Sequence, residues 1–162
     1  MLFSENTLKW ATRFYPPLFF QRIWVQKIHA DYKGVDVKIN KSLLNINYNR
    51  AIFGGTIFSA ADPFYPLLLD HIFEKKGLKV RVWLKSAEIK YLKPGRTNLY
   101  FTIQLTDQEI NEAEHALNTV GKFIKAYPVE ILNDEGEVCA SIINEIYIRN
   151  LYKGEKHSTI AY

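Results

Sequence analysis

The stretch NRAIFGGTIFSAADPFYPLLL, residues 49–69, is almost wholly apolar, yet it carries one carboxylate, Asp62, followed at once by Pro63. In a helix the ring of Pro63 clashes with the carbonyl of Ser59 and removes a backbone donor, and the residue before a proline is steered away from helical geometry. A helix through this stretch must therefore kink or break at Asp62. An acid at such a break has two uses, which are compatible. It can cap a second helical segment that starts with Pro63, in which case bonds from backbone N–H groups weaken it as a base. Or the break widens a pocket and presents the carboxylate to a substrate.

Other chemistry-bearing residues are less well placed. His29, His71, His115 and His157 are far apart with no metal-ligand spacing, so neither a metal nor a cofactor is expected. Ser59 sits in FSAA rather than G-x-S-x-G, and Gly54–Gly55 lack the following Gly-Lys-Ser/Thr of a phosphate loop. Cys139 falls in a strand pattern and reads as a core thiol, while Glu88 reads as an ion-pair partner of Lys90 or Lys85.

These residues must be held by a mostly β framework. Ser4 caps a helical pattern of Leu8, Ala11, Phe14 and Tyr15. A hairpin turns at Tyr32–Gly34 between Ile23, Val25, Ile28 and Val35, Val37, Ile39. An asparagine-rich loop with Asn40, Asn45, Asn47 and Asn49 leads into the apolar run from Gly54 to about Glu74, which reads as a central buried helix stopped at Lys75–Gly77. Residues 80–92 form a long strand whose apolar phase changes near Ser86, the signature of a bulge. Pro94–Gly95 turns the chain, Leu99 to Leu105 alternate, and Thr106 with Glu109 makes a capping box before a short polar helix. Residues 119–132 and 137–149 make a last hairpin. A uniformly apolar helix placed early must be enclosed, and a curved antiparallel sheet is the simplest enclosure: an α+β fold.

Composition agrees with a single domain. The chain has 162 residues, 48% of them hydrophobic, with one cysteine and a net charge of +4. A lone cysteine cannot form an internal disulfide and fits a reducing, cytoplasmic setting. No apolar run reaches the ~20 residues that span a bilayer. Lys9 and Arg13 alone are too few for a membrane-surface helix, so no membrane partner is expected. The basic excess in residues 76–96 lacks any nucleic-acid recognition pattern, so no nucleic-acid partner is expected either.

The order of elements and the segments FGGTIFSAADPFY and AEIKYLKPGR resemble the hot-dog superfamily. The resemblance covers residues of about 20 to 149. It is closest to the group of phenylacetyl- and 4-hydroxybenzoyl-CoA thioesterases and to a tetrameric acyl-CoA thioesterase-like branch. The most specific part is the spacing of Asn47, Phe53, Gly54, Gly55 and Asp62.

The resemblance implies hydrolysis of an acyl-CoA thioester in a pocket between subunits of a homodimer or homotetramer. The alternative is a hot-dog protein that binds an acyl or aromatic ligand without hydrolysing it. It implies Asp62, Asn47 and Gly55 as catalytic: Asp62 to activate water or attack directly, Asn47 to hold water or the carbonyl, and the Gly55 N–H, with that of Thr56, to stabilise an oxyanion. Substrate contacts are expected from Phe53, Gly54, Thr56 and Tyr65, and phosphate contacts from Lys90, Lys93 and Arg96. Many relatives carry histidine where this chain has Phe53, which cannot move a proton and argues against dehydration. The expected division is an N-terminal helix over 1–20, a hot-dog domain over 21–150 and a tail over 151–162.

Overall fold

A computed structural model of the chain describes residues 3–152. Residues 153–162, most of the expected tail and with them His157, lie outside the described residues. The chain opens with helix α1 (Glu5–Phe14), capped by the Ser4 side chain on the Thr7 N–H, and a short helix α2 (Pro16–Phe20). Strand β1 (Ile23–Ile28) turns through a 3-10 segment (Ala30–Tyr32) into β2 (Gly34–Ile39). The loop 40–53 then leads to α3 (Gly54–Ala61) and α4 (Phe64–Lys75). Strand β3 (Val80–Tyr91) follows, then β4 (Leu99–Gln104), helix α5 (Asp107–Thr119), β5 (Lys122–Asn133) and β6 (Val138–Asn150).

The six strands make one antiparallel sheet in the order β1-β2-β4-β5-β6-β3, so β1 and β3 are its edges. The pleat sends Val35, Val37, Phe101, Ile103, Ile142 and Ile146 to one face, where they join Phe64, Leu68, Leu69 and Phe73 of α4 in a continuous core. Each large side chain so buried contributes about 1.5–3 kcal/mol. The sheet is thereby curled around the apolar helix pair, as the uniform apolarity of that segment required.

Local signals correspond to local structure. The capping box of Thr106 and Glu109 is formed, α4 stops at a glycine with φ +78° (Gly77), and the last hairpin turns through Gly136 at φ +79°. Register slips between Leu84 and Ser86, leaving Lys85 as the bulge. The central helix is two helices, broken at Asp62–Pro63 as the proline requires. One feature went unforeseen. The sheet is nearly split: β4 and β5 pair at Leu99–Asn133 and Tyr100–Leu132 and then diverge, leaving a cleft of about 790 Å³ walled by Phe101, Thr102, Pro128 and Glu130. No helix among the described residues is long and apolar enough to cross a membrane.

Candidate functional site

Construction of the site begins in the asparagine loop. Asn45, fully buried, ties it down: its amide donates to the carbonyls of Gln21 (2.8 Å) and Asn40 (2.9 Å), and its Oδ1 accepts from the Ser42 N–H. Its own carbonyl accepts the Phe53 N–H at 2.8 Å, which fixes the entry to α3. Asn47 plays a different part from the one expected. Its Oδ1 accepts from the Asn49 and Ala51 N–H groups, so this oxygen closes a turn and is not available to a substrate; its amide nitrogen has no partner among the described residues.

Phe53 precedes α3 in extended geometry and offers no side-chain cap. The N–H groups of Gly54 and Gly55 therefore remain without acceptors among the described residues, as at any uncapped helix start. Thr56 differs from expectation: its N–H donates to the Phe53 carbonyl at 2.9 Å and its side chain is buried, so it cannot serve an oxyanion. Both glycines permit close approach. A Cβ on Gly54 would lie 3.0 Å from the Tyr91 ring, whose hydroxyl donates to the Gly54 carbonyl, and a Cβ on Gly55 would lie 2.3 Å from the Phe53 ring. Asn47, Gly54, Tyr91, Lys93 and Gly95 line one small cleft of about 280 Å³.

Asp62 lies eight residues beyond Gly54, about 12 Å along the helix axis. Its backbone stays helical (φ −63°, ψ −54°), and so does that of Pro63, which takes the cap position of α4. The capping role expected of Asp62 is therefore not realised: with helical dihedrals its carboxylate cannot fold back onto the N–H groups of α4. That carboxylate has no hydrogen-bond or ion-pair partner among the described residues. It is half-buried, and desolvation pushes its pKa up from the ordinary 3.8. The break itself is pinned by Asn144 on β6, whose amide donates to the Ala61 carbonyl at 2.9 Å from a fully buried position.

Asp62 opens onto a second, larger cavity. This apolar groove of about 760 Å³ runs between α1, α4 and β3, with Leu8, Leu18, Phe64, Leu67, Val82 and Trp83 among its walls. Asp70 lines the same groove, and burial raises its pKa too, against a smaller opposing effect of His71.

Several expected contacts fall elsewhere. Tyr65 points into the core, stacks on Tyr127 with ring centroids 4.6 Å apart and donates to the Pro128 carbonyl, so it is not a substrate contact. Lys93 is engaged by Glu137 at 2.5 Å, and Lys90 lies 3.3 Å from Glu88. The Arg96 side chain has no ion-pair partner among the described residues. His29 pairs with Asp36 at 2.9 Å, and His71 bonds through Nδ1 to the Leu67 carbonyl. Cys139 is buried in β6 with its pKa raised by desolvation. Sequence reasoning missed Asn45, Tyr91 and Asn144. Only Asn144 had a signal: it is a polar residue at an inward position of the alternation Ile142, Asn144, Ile146, Ile148.

Over residues 5–148 the chain matches a family described as a domain of unknown function, DUF4442. The chain belongs to this family. No curated protein matches it in sequence. Among solved structures, a protein of unknown function from Pseudomonas aeruginosa, described as a probable thioesterase, superposes with a TM-score of 0.83 at 14% identity, covering 93% of this chain and 98% of that one. A thioesterase from Haemophilus influenzae gives a TM-score of 0.67 at 12% identity, with 96% of both chains covered. The PaaI protein of the phenylacetic acid degradation operon of E. coli gives 0.56 at 14%, covering 90% and 91%. This DUF4442 chain thus shares its fold with these structures, the hot-dog fold that the sequence resemblance implied.

Proposed function

We propose that the protein is an acyl-CoA thioesterase whose site is completed across two copies of the chain. The observation that carries this reading is the Asp62 carboxylate: unpartnered, half-buried, raised in pKa, and opening onto an apolar groove. A carboxylate so placed is a better base than one in water and is free to hold a nucleophilic water. The donors that suit an oxyanion are the Gly54 and Gly55 N–H groups at the start of α3, and Gly54 lines instead the other cleft of the same chain. About 12 Å of helix separates the two, so one subunit's Asp62 must meet another subunit's glycines. Edge strand β3 offers the means, being long and unpaired on its outer side among the described residues.

In this reading Asp62 takes a proton from water as its oxygen attacks the thioester carbonyl. The developing oxyanion is held by the Gly55 N–H, with that of Gly54 beside it. Collapse expels the CoA thiolate, which takes up a proton, and releases the free acid. The acyl group lies in the groove, and Arg96, with its guanidinium free of acids, meets a CoA phosphate more readily than Lys93 or Lys90.

One observation favours a second reading, ligand binding without hydrolysis. The Phe53 ring packs over Gly55, close to the donor that hydrolysis needs. Turnover of a panel of acyl-CoA thioesters by the purified protein and by Asp62→Asn separates the two. Hydrolysis lost in the variant supports the enzyme. Acyl-CoA binding with no turnover in the wild type supports the binding protein.

A further inference from the structure

We infer that the aromatic face of α1 and α2 docks on an anionic lipid bilayer. The face is built from an unbroken ladder of rings. Trp10 stacks on Phe14 (6.0 Å), Phe14 on Phe19 (6.2 Å), and Phe19 meets Phe20 edge-on (5.5 Å). α1 buries only Leu8, so the ladder is not spent on the core: Phe14 is 62% exposed and Phe20 64%. The loop that Asn45 ties to the end of α2 adds Leu43, 90% exposed, and Leu44. Exposed rings and leucines gathered on one helix pair and its adjoining loop are the composition of an interfacial anchor.

Charge chooses the occupant. Segments 3–22 and 40–50 carry Lys9, Arg13, Arg22, Lys41 and Arg50 against a single acid, Glu5. The Arg13 guanidinium lies 4.5 Å from the centre of Trp10 and 4.7 Å from that of Trp24, and Lys9 reaches over Trp10, so cations rim the rings themselves. Beside them is a cleft of about 460 Å³ lined by Phe19, Trp24, Arg22, Lys38, Gln26 and Asn40, with no acid in its wall and cations suited to a phosphate. A second copy of the chain is the poorer occupant, because a two-fold contact would set this cationic rim against itself. An anionic leaflet supplies the opposite charge and an interfacial layer that aromatic rings favour. Lys9 and Arg13, too few when the helix is read alone, thus gain Arg22 and Lys41 from neighbouring segments, which revises the expectation of no membrane partner.

Flotation with vesicles tests this directly. The protein should bind vesicles of phosphatidylcholine mixed with phosphatidylglycerol at least about tenfold better than phosphatidylcholine alone, and added salt should release it. Phe14→Ser/Phe20→Ser should lower binding at least about tenfold, and Lys9→Glu/Arg22→Glu should abolish the preference for the anionic lipid. All four positions lie outside the proposed catalytic site, so hydrolysis of a soluble acyl-CoA should be unchanged if that proposal holds, and vesicle binding stands or falls without it. Absence of wild-type binding to anionic vesicles, or equal binding by the aromatic variant, overturns the inference. So does a smaller assembly for Phe14→Ser/Phe20→Ser by light scattering, which would assign the face to contact between copies.

Discussion

The Asp62 carboxylate is withdrawn from water without gaining a partner, and that combination yields two opposite expectations for Asp62→Asn. If it is the base, turnover falls by at least ~100-fold, and wild-type kcat rises as the carboxyl ionises through a pKa above the ordinary 3.8. Stability moves the other way. Because the folded pKa is the higher one, the native state binds more protons in the window above 3.8, so stability is lost as pH rises through that window. Asparagine escapes that loss: thermal melts should show Asp62→Asn above wild type at neutral pH, with the gap closing in acid. A destabilised variant would mean that the carboxylate has a partner after all. At the CoA end, Arg96→Ala should raise KM for acyl-CoA several-fold while Lys93→Ala, whose ammonium is already held by Glu137, changes it less; the reverse order in steady-state kinetics would place the phosphates on Lys93. Asp62 was legible in sequence as an anomaly, an acid before a proline inside an apolar run. Its lack of a cap partner was not legible, since that depends on backbone angles at two residues.

Between elements, asparagine side chains do the joining. Asn45 supplies donors to two carbonyls that would otherwise be left unpaired in a loop with little regular structure of its own. Asn45→Ala should cost roughly 2–3 kcal/mol in urea unfolding, more than the exposed Asn49→Ala, which should be near neutral. Asn144→Ala should cost about 1–3 kcal/mol by the same measure and also lower kcat, because the Ala61 carbonyl it holds lies immediately before Asp62. Unchanged kcat there would show that the break holds its shape unaided. The elements themselves were readable because each rested on local chemistry: the Thr106–Glu109 box, the glycine stop at Gly77, the phase change before Ser86. The choice of Asn45 over Asn47 as the buried anchor was not, for both sit in the same polar loop and differ only in what the fold brings to them.

At the scale of the whole molecule, strand β3 leaves an open edge of twelve residues with Trp83 and Tyr91 partly exposed along it. Pairing of that edge with a second copy is expected, and a dimer or tetramer should be seen by light scattering at micromolar concentration; a monomer would remove the two-chain site with it. The enclosing sheet was readable because an early, wholly apolar helix demands it, whereas the seam within the sheet had no signature in the strands that flank it. Since β4 and β5 share only the Leu99–Asn133 and Tyr100–Leu132 pairings before parting, the fold consists of two three-stranded leaves, β1-β2-β4 and β5-β6-β3, joined near one end. The backbone amides that face this gap beyond Tyr100 lack the ladder that shields their neighbours. They should exchange with deuterium well ahead of those along β5–β6, so that native-state exchange divides the sheet into a slow leaf and a fast margin. Opening along that margin would let the leaves spread without unfolding either, and amides at the seam that exchange as slowly as those of β6 would mean the sheet moves as one body.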